Sequence, residues 1–329
     1  MSRVRVKIHF LERYMQAIKE FLDGSRFAKF EISLASADAS FRRYFRLTLA
    51  NESYIVMDSS RELNSLKPFV EVTQRLRDAK VNAPQIYLQD VAKGFLVLED
   101  FGSSDLLDVL DASNYEKLYK IAIEAIIKMQ DADAKGLPLY DDAFLKFEMS
   151  LIQEWFLESY IGINYDAKMI QNSLSIISDE VLKQPQGFFV HRDFHSRNIM
   201  YIDEKNLGII DYQDAMSGAV TYDLVSLLKD LYVEWSEEKM QELALYFRDA
   251  KGLDVSDEEF IRWFDFMGLQ RHIKVLGIFA RLYLRDAKDG YLKDLPLTLK
   301  YVVNTLEKYD ELKELRSLLL SITLPKLNT

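Results

Sequence analysis

Cysteine is absent from the 329 residues, and that gap removes disulfide frameworks, thiolate nucleophiles and thiolate zinc sites together. Glycine is scarce, at 12 of 329, about half the roughly 7% usual in proteins. Neither GxGxxG nor GxxxxGK[ST] occurs, so the dinucleotide fingerprint and the Walker A phosphate loop are excluded. Basic charge is also short. Lys and Arg number 42 against 52 Asp and Glu, a formal net charge of −10, which argues against nucleic acid or an anionic membrane as partner. No charge-free stretch approaches the ~18 apolar residues of a membrane span. The basic start MSRVRVKIHFLERYM is broken by charge before an apolar core of signal length forms. The expected compartment is the cytoplasm.

What is present is globular. Hydrophobic residues make up 49% and charged residues 29%, which predicts a sizeable core, and the length at about 150 residues per domain predicts two units. Residues 8–22 place Leu11, Tyr14, Met15, Ile18, Phe21 and Leu22 at helical spacing. Segments 28–35, 41–48 and 53–58 are short, rich in aromatic and β-branched residues and separated by small polar ones, the pattern of antiparallel strands. Phe69, Val72, Leu76 and Ala79 predict a helix with Pro68 in its first turn, ending before Pro84; strands follow at 85–89 and 94–98. Beyond Gly102 the pattern turns helical, with capping boxes expected at Ser113/Glu116 and Ser256/Glu259. The predicted class is α+β, with a small antiparallel-sheet unit over 1–100 and a mainly helical unit over 101–329.

One interruption of the helical part carries chemistry. Between the apolar runs GFFV and NLGIID lies HRDFHSRNIM, with Asp193, Asn198 five residues on, and Asp211 at the end of the second run. That order suits phosphoryl transfer from ATP. Asp193 orients and deprotonates an attacking hydroxyl, while the amide oxygen of Asn198 and the carboxylate of Asp211 hold Mg²⁺ against the phosphates. The competing reading is a charged surface loop in which Asp193 caps a turn. The ordered set between two apolar runs outweighs it.

The loop resembles the aminoglycoside phosphotransferase and choline kinase branch of the protein-kinase-like superfamily, whose HxDxHxxN pattern is filled by His191, Asp193, His195 and Asn198. The Asp211–Tyr212–Gln213 triplet replaces DFG, and only twelve residues separate Asp211 from Asp223, which leaves no room for a peptide-docking activation segment. The blocks DASFRRYFR, VMD, GFLVLEDFG, HRDFHSRNIM, IDYQDAMSGAVTYDLVSLL and LQRHIKVLGIFARL resemble the bacterial anomeric kinases of N-acetylmuramate and N-acetylglucosamine. The resemblance implies a bilobal kinase-like fold, with a nucleotide-binding N-lobe and a C-lobe holding the catalytic loop and an amino-sugar site. It also implies phosphorylation of C1 to an α-1-phosphate in cell-wall sugar recycling, with ATP and Mg²⁺ and no obligate protein partner. The other readings are an aminoglycoside or choline-type phosphotransferase and a nucleotide-binding pseudokinase.

The same resemblance assigns the remaining roles. His191 and Arg192 hold the loop, and Asp223 accepts hydrogen bonds from its backbone. His195 and Arg197 face either the sugar and its lactyl carboxylate or a purely structural duty, and Arg271 either reaches the acceptor or faces water. Ser36 and Ser40, in a phosphate loop without glycine, contact the nucleotide, and Glu99 and Phe101 offer backbone groups to adenine. Met57 stands where a kinase strand carries lysine. The expected substitute is an arginine of the Arg42–Arg43 pair, with Arg43 the assigned phosphate contact and Glu71 its partner; a solvated charged strand is the alternative.

Overall fold

The computed structural model describes residues 14–36 and 42–325. The chain divides into two compact units, one running to Ser104 and taking in Met200–Asp214, the other formed by Asp105–Ile199 and the chain from Ala215 onward.

In the first unit, helix α1 (14–22) precedes five antiparallel strands: β1 (Glu31–Ser36), β2 (Arg43–Leu49), β3 (Glu52–Asp58), β4 (Ile86–Asp90) and β5 (Phe95–Glu99), in the order β1-β2-β3-β5-β4. Helix α2 (Leu66–Asp78) lies between β3 and β4 in sequence. Strand alternation sorts the side chains. Phe45, Leu47, Val56, Phe95 and Val97 form one core with Ile18 and Leu22 of α1. The cross-strand row Tyr44, Met57, Leu96 belongs to the opposite face. A hairpin of β7 (Ile199–Asp203) and β8 (Asn206–Ile209) returns to this unit from far downstream. Its hydrogen bonds explain the return: Ile209 N–H donates to Asn82 O at 2.9 Å, Asn82 Nδ2 to Leu207 O at 3.0 Å, and Tyr201 N–H to Ser104 O at 2.9 Å. A single boundary at residue 100 therefore does not describe the division; backbone pairing of a distant hairpin is invisible to a scan for composition shifts.

Gly208 in β8 faces the Phe101 ring, and a Cβ there would lie 2.3 Å from a ring carbon. The ring cannot yield by bending a flexible tail. Gly208→Ala is expected to lower the unfolding free energy by about 1–3 kcal/mol through overpacking, read as a shift in the urea midpoint; an unchanged midpoint would contradict this packing.

The second unit is built on α9 (Asp257–Asp286), whose residues are buried almost without break from Trp263 to Gly277. A helix buried on all sides must be enclosed by others. Here α5 (Asp142–Leu151), α6 (Ala167–Val181), α7 (Tyr222–Leu228), α8 (Glu237–Lys251) and α10 (Leu295–Leu306) all pack on it. At Gly277 a Cβ would come within 2.5 Å of the Leu151 carbonyl carbon, at the point where α5 passes into a π-helical stretch, Ile152–Ile161. Short α3 (Leu106–Val109), α4 (Tyr115–Met129) and α11 (Lys313–Leu320) complete the helices. Ser256 caps α9 through Glu259 N–H at 3.2 Å. The box expected at Ser113 is not made. Ser113 instead donates its N–H and hydroxyl to Asp111, at 2.7 and 2.6 Å, a local turn that outcompetes the cap, and Asn114 precedes α4. Strands β6 (Phe188–Val190) and β9 (Met216–Gly218) pair antiparallel, with the 191–198 segment directly after β6. Among the described residues, no helix is long and apolar enough to cross a membrane.

Candidate active site

The 191–198 loop leaves β6 and is held by two buried carboxylates. Asp223, 1% exposed at the start of α7, accepts the backbone N–H of His191 at 2.7 Å and of Arg192 at 3.0 Å. Burial raises its carboxyl above the ordinary range, partly offset by His191 and by those hydrogen bonds. Asp230, 2% exposed, accepts Ser196 N–H at 2.8 Å. Held at both ends, the loop tolerates Arg192 at φ +78°, a left-handed conformation that costs on the order of 1–3 kcal/mol for a non-glycine residue. Inside the loop, the Asp193 carbonyl accepts His195 N–H and the Asn198 amide nitrogen, both at 3.0 Å.

The Asp193 side chain is 48% exposed, and Arg271, 4% exposed, places Nη1 3.8 Å from its Oδ1. Loss of water alone would raise this carboxyl. The charges of Lys274, Arg271, His195 and Arg192 outweigh that effect and hold it well down, at about 2. It is therefore an anion throughout the working range of an enzyme. His195 is pushed the other way, its imidazolium disfavoured first by burial, against the raising effect of Asp230 and Asp193. The ring packs edge-on to Tyr232 at 5.2 Å, and its Nε2 lies 3.4 Å from Asn198 Nδ2. Arg197 is exposed, with its guanidinium 4.9 Å above Tyr232.

Beneath the loop lies a polar network that sequence reasoning missed. Glu148 of α5 accepts Arg192 Nη2 at 2.7 Å and Lys274 Nζ at 3.0 Å, and the Tyr140 hydroxyl donates to it. Lys274 also donates to the Tyr222 hydroxyl at 3.1 Å. Burial would raise Glu148, but Lys274 and Arg192 hold it below the ordinary range. Nothing near Glu148 in sequence marks it; a charged residue at a core position of an amphipathic helix was the one available signal. Arg271 and Lys274 are buried in α9 rather than facing water, and Arg271 Nη1 donates to the Arg192 carbonyl at 3.4 Å.

His272, also on α9 and 1% exposed, bonds through Nε2 to the Lys229 carbonyl at 3.0 Å and stacks on Tyr301. Burial, with Lys229 and Arg271 nearby, depresses it from 6.5 to about 3. The unfolded chain binds this proton near pH 6.5 and the folded chain does not, so stability is full above 6.5 and falls through the window from 6.5 to 3. The slope from this group is about 1.4 kcal/mol per pH unit. Urea midpoints measured at pH 7.5 and 5.5 are expected to show a drop that His272→Gln reduces; an equal drop in the variant would remove His272 as its source.

In the first unit, Asp211 follows β8 with φ +66°, and Tyr212 beside it is fully buried against α2, its ring stacked on Phe69 at 5.2 Å and its hydroxyl 2.9 Å from Thr73 Oγ1. Segment 99–102 is clamped by Arg46, whose Nε and Nη2 lie 2.7 and 3.1 Å from the two Asp100 carboxylate oxygens, with a further bond to Gly102 O at 2.8 Å. Glu99 gives its N–H to Gln85 O at 2.9 Å. Arg43, the expected phosphate contact, is engaged within the sheet unit. It donates to the buried carboxylate of Asp58 at 2.6 Å and lies 3.3 Å above the Tyr14 ring, on the face that α1 covers. Strand alternation, which separates Arg43 from Met57, is the reason. Glu71 is exposed and lies 3.8 Å from Lys67, not beside Arg43. Ser36 ends β1, and Ser40 lies outside the described residues.

The second unit also holds a cavity of about 240 Å³ between the start of α8, α9 and α10, with Trp235, Phe264 and Tyr301 in its wall and Lys229 paired to Asp265 at 2.8 Å. None of Asp193, His195 or Asn198 lines it. Among the described residues, no cluster of three or more His, Asp or Glu is arranged to hold a metal.

A five-stranded antiparallel sheet unit, a helical unit and an HxDxHxxN loop pinned by an Asp twelve residues past a second Asp define a kinase-like fold with phosphotransferase machinery. Solved structures agree on that fold. Choline kinase LicA from Streptococcus pneumoniae matches with a TM-score of 0.63 at 15% identity, covering 89% of this chain and 99% of that one. ADP-bound aminoglycoside phosphotransferase APH(2'')-Ib matches with a TM-score of 0.60 at 16% identity, covering 89% and 98%. The chain belongs to the phosphotransferase enzyme family, which it matches over residues 31–264, and it is a kinase with a hydroxyl acceptor. Its relatives include proteins named N-acetylmuramate/N-acetylglucosamine kinase from Pseudomonas aeruginosa, 40% identical over 89% of this chain and 88% of that one, and from Neisseria meningitidis, 39% identical over 89% and 91%.

Proposed function

We propose that this protein is an ATP-dependent kinase of the anomeric C1 hydroxyl of N-acetylmuramate and N-acetylglucosamine, yielding the α-1-phosphate for cytoplasmic recycling of cell-wall sugars. The observation that carries the reading is a half-exposed, permanently ionised Asp193 in a chain about 40% identical to proteins named for those sugars.

Asp193 accepts a hydrogen bond from the sugar hydroxyl and turns its lone pair toward the γ-phosphorus. As the new O–P bond forms, the bond to the bridging oxygen breaks, ADP leaves with that electron pair, and the hydroxyl proton passes to the Asp193 carboxylate. A carboxylate held near 2 is a weak base, so it positions early and receives the proton late, once phosphorus has made the oxygen acidic. That order suits a loose transition state, and an anomeric hydroxyl, more acidic than an ordinary alcohol, eases it. Asn198 and Asp211 offer hard oxygen donors that fit Mg²⁺, and the Asn198 amide nitrogen donates to the Asp193 carbonyl. When bound, the ion neutralises phosphate charge.

Glu99 O and Phe101 N–H are the proposed adenine contacts, and Ser36 and Ser40 the proposed phosphate contacts. His195, Arg197 and Arg271 are assigned to the sugar side; Arg271 Nε is buried with no hydrogen-bond partner among the described residues. His191, Arg192 and Asp223 hold the loop. An amino sugar is the expected small-molecule partner. A cationic acceptor such as choline or kanamycin would meet the positive groups that already surround Asp193, which counts against that reading.

The test offers N-acetylmuramate, N-acetylglucosamine, glucose, kanamycin and choline with Mg-ATP while ADP release is followed and phosphorus NMR locates the ester. Turnover confined to the cationic acceptors would sink the sugar assignment, and a 6-phosphate would refute the anomeric one. Nucleotide binding without turnover on any acceptor would favour a pseudokinase.

A further inference from the structure

The cavity between the start of α8, α9 and α10 has no part in the proposed transfer, since none of Asp193, His195 or Asn198 lines it. Its volume is about 240 Å³, and an apolar cavity of about 150 Å³ already admits a benzene ring. There is room for a six-membered ring with its substituents. Charge in the wall is closed on itself. Three lysines and three carboxylates line the cavity and pair with one another: Lys229 with Asp265 at 2.8 Å, Lys300 with Glu234 at 2.6 Å, and Lys308 with Asp265 at 3.0 Å and with Glu237. An ionic guest would have to break one of these pairs and strand a partner, which selects against ions of either sign.

Two hydroxyl groups of the wall stand without partners against that paired background. Thr305 is 4% exposed, and its side chain makes no hydrogen bond among the described residues. The Tyr301 hydroxyl, one turn earlier on α10, is buried and equally unpartnered. Buried polar groups are paired in nearly all native structures, so an unpartnered one in a cavity wall marks a place for a hydrogen-bonding guest. Asn304, exposed beside them on α10, adds an amide. Across the cavity, Trp235 and Phe264 supply ring surface. The indole N–H of Trp235 is already given to the Tyr119 hydroxyl at 2.9 Å, so what that ring offers a guest is carbon.

We propose that this cavity is a second small-molecule site, for an uncharged ring compound of monosaccharide size whose hydroxyl groups meet Thr305 and Asn304 and whose C–H face lies on the aromatic wall. A threonine hydroxyl both donates and accepts, which suits a polyol. The site goes beyond the transfer reaction and stands whatever the acceptor at Asp193 proves to be. Its occupant rests against Lys229, the neighbour of Asp230, whose carboxylate accepts the N–H groups of Ser196 at 2.8 Å and Tyr232 at 3.1 Å.

The test labels the full chain with 5-fluorotryptophan and follows the fluorine resonance of Trp235, assigned with Trp235→Phe, with Trp155 and Trp263 as internal references. The probe is the methyl glycoside of N-acetylglucosamine, whose blocked C1 oxygen prevents turnover. It is expected to shift the Trp235 signal saturably, while N-acetylmuramate and choline, an anion and a cation, bind there at least about tenfold more weakly. Thr305→Val should weaken the glycoside by about 3- to 10-fold, the worth of one neutral hydrogen bond. Asn304→Phe, a change at an exposed position, should abolish the shift by filling the cavity. Absence of any shift with the glycoside would leave a cavity that holds water only and would overturn the proposal. A shift that both variants leave unchanged would come from binding elsewhere and overturn it too, and equal affinity for the charged probes would overturn the uncharged class. None of these readouts depends on turnover, so their failure leaves the sugar-kinase reading to be tested by ADP release alone.

Discussion

Asp193→Asn is expected to lower kcat by about 10²- to 10⁴-fold, the usual contribution of a positioned proton acceptor, with Mg-ADP affinity changed by no more than a few-fold. The substitution keeps the size of the side chain and an oxygen that can still accept the acceptor hydroxyl. It removes the charge and the place where the proton goes. Arg271, Lys274 and Arg192 then surround a neutral group, so what is lost is the final site of the proton rather than the shape of the loop. A fall in kcat of less than about tenfold would mean that orientation alone carries the reaction and that Asp193 is not the acceptor. The pH profile gives an independent reading. With its carboxyl lowered to about 2, Asp193 stays ionised as pH falls from 8 to 4, so any acid limb in the wild-type rate in that range must belong to another group and should persist in the residual activity of Asp193→Asn.

Glu148→Leu is expected to cost about 3–5 kcal/mol of stability, the price of leaving buried charge without its counter-ion. Two cations, Arg192 and Lys274, share that one carboxylate at 2.7 and 3.0 Å, and the Tyr140 hydroxyl donates to it as well. Leucine fills much of the space but accepts nothing. The penalty should therefore come from the stranded partners more than from a void, and the double variant Glu148→Leu with Lys274→Met should recover part of it. A double variant as unstable as the single one would point to packing instead. Activity should fall too, since Arg192 is part of the loop backbone that Asp223 holds, and its carbonyl is where Arg271 anchors. The measurement is a urea unfolding curve for each variant, with kcat taken under conditions where all are folded.

How far these features could be read from the sequence depended on how local their causes are. The strands β1–β5, the helix before Pro84 and the loop 191–198 rest on short-range signals: alternation, proline, and an Asp and Asn five apart. Asp223 was legible because its spacing from Asp211 belongs to a recognisable block. Glu148, Asp230 and Lys274 were not, because each is a charged residue whose meaning comes from a partner far away in sequence, and such a residue on a helix, as Glu148 and Lys274 are, ordinarily faces water. Arg42 and Arg43 could not be told apart for a related reason. Their neighbours are identical in kind, and only the pleat of β2 against β3 assigns one to the Tyr14 side and the other to the Phe69 side. The Ser113 cap failed because Asp111, two residues earlier, draws the Ser113 N–H and hydroxyl into a local turn.

The tie between Tyr212 and α2 bears on how such an enzyme can be controlled. Regulated protein kinases are switched by repositioning a helix beside the sheet, together with the residue after the metal-binding Asp, the place proposed here for Asp211. Here that residue is a tyrosine whose ring is stacked on Phe69 and whose hydroxyl is bonded to Thr73, both on α2. Swinging the helix outward would strand a buried phenol and open the apolar contact at the same moment, so the two motions that a switch needs to separate are fused into one. A compound that works by prising this helix away from Tyr212 would have to break both contacts to gain entry.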